Sequence, residues 1–271
     1  MSAGVSCKGL TAGYDRRAEP IVSGVSLNFR PRRFTALLGP NGCGKSTLLK
    51  TIMGFLPAWE GRAFLDGAEI AGMRRKRLAR RIAYLPQDNR CPDYLTVGEL
   101  LELGANAQSS FLGFGGGLDR SRAERILADV GLEGMGAAQV NQLSGGQFQR
   151  AFIAMILAQD ADILLMDEPV NHLDILHQYG VLSLVRRLMA TRGCTVIAVL
   201  HDLNLAGAFA DDVALMRAGR LIAHDQAQTV LDADRIEDVF GIRCEVIHRK
   251  GRLSFLPEFA KDAFAHLKAV E

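Results

Sequence analysis

Residues Gly39, Pro40, Asn41, Gly42, Cys43, Gly44, Lys45, Ser46 and Thr47 fit the pattern G-x-x-x-x-G-K-[ST]. The pattern works only as a turn between a buried strand and a helix. Its glycines let successive backbone N–H groups curl around an anion without interference from a Cβ, and the helix that follows presents its positive end to the same anion. Phe34–Leu38 reads as the strand, and the chain from Thr47 onward reads as the helix. Lys45 is then a cation for the outer phosphates of a nucleotide, and the Ser46 hydroxyl is a ligand for Mg2+. A chain organised around such a loop must contain an α/β core.

Three further apolar segments deliver polar residues at or just past their C-terminal ends. Ile82–Leu85 leads to Gln87, Ile163–Met166 to Asp167 and Glu168, and Thr195–Leu200 to His201. Buried parallel strands ending at one crevice would bring these groups together. Helical patterns at 147–159 and 173–190 separate them, which predicts an α/β fold with a mainly parallel sheet. Between Gln87 and Ser144 the texture becomes helical, with amphipathic stretches at 96–103 and 120–130, so a helical subdomain at about 88–160 is expected as an insertion. Within it, the glycine-rich run 109–117 lacks the lysine of a phosphate site and reads as a flexible connection. Near the C-terminus, 234–240 reads as a helix, and Cys244–His248 with Arg252–Leu256 reads as a β-hairpin.

At 271 residues the chain can bury a large core, and 32 basic against 30 acidic residues leave a net charge of only +2. Nothing in that balance points to nucleic acid. Five scattered cysteines with no C-x-x-C pair suit a reducing compartment. The N-terminus lacks the pattern of a secretion signal, and the longest apolar run, 151–158, is far below the roughly 20 residues that span a bilayer. Any work at a membrane is expected to go through a partner.

Asp167 ends an apolar strand, which is how a carboxylate is aimed at a metal beside the loop serine, and Glu168 next to it can orient or deprotonate an attacking water. Leu143, Ser144, Gly145, Gly146 and Gln147 precede a helical pattern, so Ser144 is expected to cap that helix while the glycine N–H groups stay open to an anion.

With these motifs in this order, the chain resembles the ATP-binding subunits of ABC transporters over residues 5–245. The resemblance implies a P-loop NTPase core with an antiparallel β portion, a 1–245 ATPase domain and a short extension at 246–271 of the same domain. It implies ATP and Mg2+ as cofactors, with Lys45, Glu168 and His201 as the catalytic set and His201 at the γ-phosphate. Tyr14 would stack on adenine, Gln87 would touch the metal and signal to the membrane partner, and Asp174 would lie in the loop that crosses between two cassettes. Because such cassettes pair head to tail, residues 144–147 would close over the phosphate loop of a second copy. One departure is Val170, where many relatives carry a small hydroxyl residue.

Phrases at 174–178, 200–212 and 239–242 look like those of bacterial importers for ferric siderophores, haem and cobalamin. That likeness implies a homodimer on the cytoplasmic face of the inner membrane, a multi-spanning permease, and indirectly a periplasmic binding protein, with no nucleic acid. A soluble relative acting on ribosomes or DNA is the rival, and an exporter cassette or one for another solute is a further alternative. The cluster Arg74, Arg75, Lys76, Arg77, Arg80 and Arg81 is read as a solvated basic helix near the membrane face.

Overall fold

The computed structural model describes residues 4–89, 91–106, 118–249 and 251–258; the glycine-rich run 109–117 lies outside the described residues. The chain opens with two strands, β1 (Val5–Ala12) and β2 (Val22–Phe29), before the expected strand β3 (Phe34–Leu38). The helix after the phosphate loop, α1 (Lys45–Ile52), starts two residues earlier than the sequence suggested, because Gly44 turns the chain at φ 99° and lets Lys45 enter the helix directly. Next come β4 (Glu60–Leu65), β5 (Ala68–Glu69), α2 (Arg75–Ala79) and β6 (Ile82–Leu85). The helical stretch holds α3 (Val97–Ala105), α4 (Arg120–Asp129) and α5 (Gly145–Ala158). It is followed by β7 (Ile163–Asp167), α6 (Ile175–Arg192), β8 (Thr195–Val199), α7 (Leu203–Phe209), β9 (Asp212–Arg217) and β10 (Arg220–Gln226). Two short helices, α8 (Ala227–Val230) and α9 (Ala233–Phe240), lead into the hairpin of β11 (Cys244–Arg249) and β12 (Arg252–Pro257).

The central sheet has the order β10-β9-β3-β8-β7-β6, parallel throughout except for β10 at its edge. A separate sheet, β2-β1-β4-β5, is antiparallel. Alternating residues of the parallel strands divide between two cores. Leu37, Ile82, Leu165, Ile197 and Met216 face the antiparallel sheet and α1, whereas Ala36, Leu85, Met166, Ala198 and Leu215 face the α5 and α6 side. Burial on both faces explains why these strands read as continuous apolar runs rather than as alternation.

Helix ends follow their local chemistry. Thr96 and Glu99 form a capping box on α3, which holds the Glu99 carboxyl below its ordinary range through the Thr96 backbone and side-chain hydrogen bonds. Where α3 crosses α5 the backbones nearly touch, and a Cβ on Gly104 would lie 2.0 Å from the Met155 carbonyl oxygen. The hairpin is docked on α7, since the Phe255 N–H donates to Asn204 Oδ1 at 2.8 Å and Leu253 and Phe255 join the core.

Candidate active site

The phosphate loop is held in its turn by φ values open to glycine, +75° at Gly42 and +99° at Gly44. A side chain on Gly39 would strike the Met216 carbonyl oxygen at 2.2 Å, so β9 presses directly on the loop. Lys45 is buried, and its ammonium donates to the carbonyls of Gly39 at 2.8 Å and Pro40 at 2.9 Å. Burial raises the Cys43 thiol, with Lys45 nearby opposing, which suits a packed residue rather than a nucleophile.

The ends of β7 and α1 meet across the sheet. Ser46 Oγ donates to Asp167 Oδ1 at 2.8 Å, and the Tyr84 hydroxyl reaches Asp167 Oδ2 at 3.3 Å. Asp167 is 1% exposed. Burial holds its carboxyl above the usual range, the Ser46 hydrogen bond pulls it down, and the neighbouring Glu168 charge pushes it up. A hydroxyl and a buried carboxylate in contact are hard oxygen donors of the kind Mg2+ accepts, so this pair fits that ion.

Glu168 sits at φ +56°, a conformation costly for a side-chain-bearing residue, and His172 follows at +61°. The strained turn aims the Glu168 carboxylate at three partners. Oε2 accepts from Gln87 Nε2 at 2.9 Å and from Asn171 Nδ2 at 2.7 Å, and Oε1 lies 2.6 Å from His201 Nε2. Residues from β6, β7 and β8 thus converge at the C-terminal edge of the sheet, as the strand-end pattern predicts. Such a carboxylate can hold a water and take its proton, while the imidazole fixes the carboxylate's orientation.

A cavity of about 810 Å3 is lined by the phosphate loop together with Gln87, Glu168, Asn171 and His201. Ile21 and Phe240 also line it, and neither was singled out in the sequence. Asn171, in the same stretch as Asp174, is a third lining residue that carried no assigned role; its spacing of three from Glu168 is the one local signal in the sequence. Gln87, expected to touch a metal, makes its described contact with Glu168 instead.

The other expected residues lie elsewhere. Tyr14 is 63% exposed and does not line the cavity. Asp174 caps α6 by accepting from the His177 N–H at 2.9 Å, and its second contact is with His177 Nδ1 at 2.7 Å. Those bonds, the backbone one first, hold its carboxyl below the ordinary range. Ser144 and Gln147 form a capping box at the start of α5, none of 144–147 lines the cavity, and Gly146 packs so closely on the His177 ring that a Cβ would lie 2.2 Å from it. The site therefore carries the loop, the two carboxylates and the histidine, with the start of α5 outside the cavity and against His177.

The ABC transporter family model matches residues 22–171. The ferric enterobactin transport ATP-binding protein FepC of Escherichia coli (strain K12) is 37% identical over 238 residues, covering 88% of this chain and 87% of that protein. The hemin import ATP-binding protein HmuV of Rhizobium meliloti (strain 1021) is 37% identical over 234 residues, covering 83% and 87%. In fold, the chain is similar to a metal-chelate type ABC transporter solved in an inward-facing conformation, with a TM-score of 0.80 over 95% of this chain and 98% of that one at 23% identity.

Proposed function

This chain belongs to the ABC transporter family as an ATP-binding, ATP-hydrolysing subunit, and on that premise we propose that it powers import of a metal chelate through a membrane permease. The observation that carries the proposal is that relatives matching more than four-fifths of the chain are ATP-binding proteins of ferric enterobactin transport and of hemin import. Ferric siderophore, haem and cobalamin are the candidate cargoes. Among the described residues no helix is long and apolar enough to cross a membrane. In this proposal the cassette works as a peripheral subunit at the cytoplasmic face of the inner membrane, paired with a second copy and fed by a periplasmic binding protein through the permease.

In this reading Lys45 neutralises the outer phosphates, the loop N–H groups hold them, and Tyr14 stacks on the base. Ser46 and Asp167 would hold Mg2+, which when bound would supply charge neutralisation on the phosphate oxygens. Glu168 takes a proton from the attacking water, His201 steadies Glu168 and meets the γ-phosphate, and Gln87 links that carboxylate to permease contact at the helical subdomain of about 88–160. Residues 144–147, outside the cavity of their own chain, serve the phosphate loop of the second copy, and Asp174 lies in the crossing loop between them. The expected extension 246–271 of the same domain is described only through residue 258, and 259–271 lie outside the described residues.

Reconstitution with the permease and loaded binding protein tests the reading. ATPase stimulation and uptake by ferric siderophore, haem or cobalamin are expected; stimulation only by an unrelated solute or by ribosomes would overturn the importer assignment.

A further inference from the structure

Six of the eight residues from 74 to 81 are cationic, although the whole chain is nearly neutral. The short helix α2 is pinned by Leu78, which is buried, and by Arg75, whose guanidinium donates to the carbonyls of Met53 and Gly54 while lying 5.6 Å over the Phe55 ring. Arg74, Lys76 and Arg77 are left on the outside, along the wall of an open concavity of about 870 Å3. None of these three has an acidic partner among the described residues. The nearby acids are engaged, Glu69 by Arg62 at 3.4 Å and Asp66 by Arg81 at 2.7 Å.

Phe55 beside the patch is 56% exposed and packs on Tyr84, in the strand that leads to Gln87. A cluster of exposed cations flanked by an exposed aromatic is the chemistry of a membrane-surface contact. The cations stand in open solvent rather than around a closed pocket, which suits a plane of phosphates more than one small anion. The near balance of charge elsewhere gives no basic track for a duplex to follow.

We propose that the α2 face, with Arg74, Lys76 and Arg77 as its cations and Phe55 at its rim, seats the cassette on the anionic phospholipid headgroups of the membrane. This rests on the membrane-peripheral reading above. Each cation near such a surface strengthens binding about five-fold, so removing three lowers it on the order of 100-fold.

The test is flotation of the intact protein with phosphatidylcholine vesicles, with and without phosphatidylglycerol. Parent protein is compared with the triple variant Arg74→Gln/Lys76→Gln/Arg77→Gln and with the equal-charge control Lys8→Gln/Arg220→Gln/Arg252→Gln. The expected result is binding that needs phosphatidylglycerol, weakens with salt, falls on the order of 100-fold in the patch variant and only a few-fold in the control. Equal losses in the two variants, no preference for anionic vesicles, displacement by millimolar inorganic phosphate, or tighter binding to a short DNA duplex would each overturn it. ATP turnover is followed in the same preparations. Vesicle binding that fails while turnover persists sinks the lipid seat alone, whereas binding that holds while no chelate stimulates the reconstituted transporter sinks the importer reading alone.

Discussion

Replacing Glu168 by glutamine separates what its carboxylate does for the fold from what it does for chemistry. In the native site Oε2 accepts from Gln87 and Asn171, and Oε1 meets His201 Nε2 at 2.6 Å. A glutamine can keep its oxygen where Oε2 stands and place its amide opposite His201, whose other tautomer accepts through Nε2. The substitution gives up charge assistance in these bonds, about 1 kcal/mol each, and removes a negative charge that now opposes the buried Asp167. These effects largely cancel, so thermal stability and Mg-ATP affinity are expected to stay close to the parent. Proton abstraction from water has no substitute. Loss of a positioned base costs about 10²- to 10⁴-fold, or about 3–5 kcal/mol in the barrier. Single-turnover hydrolysis and nucleotide binding, measured on one preparation, check this. Turnover within ten-fold of the parent at intact affinity would refute the assignment, and His201 would be the next base to examine.

Lys45→Ala is expected to abolish nucleotide binding in calorimetry with little change in unfolding temperature, since the lysine's described contacts are with the loop's own carbonyls; normal affinity would contradict it. Because burial raises the Asp167 carboxyl, the folded protein binds that proton more tightly than the unfolded chain, so stability falls as pH rises from the ordinary carboxylate value through the raised one. Without nucleotide and Mg2+, Asp167→Asn should then unfold at a higher temperature than the parent at pH about 8, the gap closing below pH about 4. Gly146→Ala places a Cβ 2.2 Å from the His177 ring and should cost about 1–3 kcal/mol, read as a thermal shift of about 2–4 °C per kcal/mol, together with lost ATPase activity. An unchanged melting curve would mean that the ring moves away freely.

The parallel core was legible because its strands are buried on both faces. Phe34–Leu38 and Ile82–Leu85 match the observed strands at both ends, since an unbroken apolar run bounded by polar residues has little freedom of register. The antiparallel sheet was not readable residue by residue. In β1 the alternation breaks at register shifts around Gly9, which sits at φ +58°, so the period-two signal is scrambled where it should be clearest. The phosphate loop, Asp167, Glu168 and His201 were legible as a group because each ends or follows a buried strand. The Asn171 contact with Glu168 was not, because it depends on the backbone turn at Glu168. The packing of His177 on Gly146 was invisible for a similar reason, since it joins the first turns of two helices distant in sequence.

The central claim is that one chain carries two halves of different ATP sites, the phosphate loop of one and residues 144–147 of the other. Sedimentation of Glu168→Gln with and without Mg-ATP tests it most directly. The account predicts a monomer without nucleotide and a stable dimer with ATP, lost again when Lys45→Ala or Gly146→Ala is added. A protein that binds ATP at the expected affinity yet remains a monomer at saturating nucleotide would contradict it.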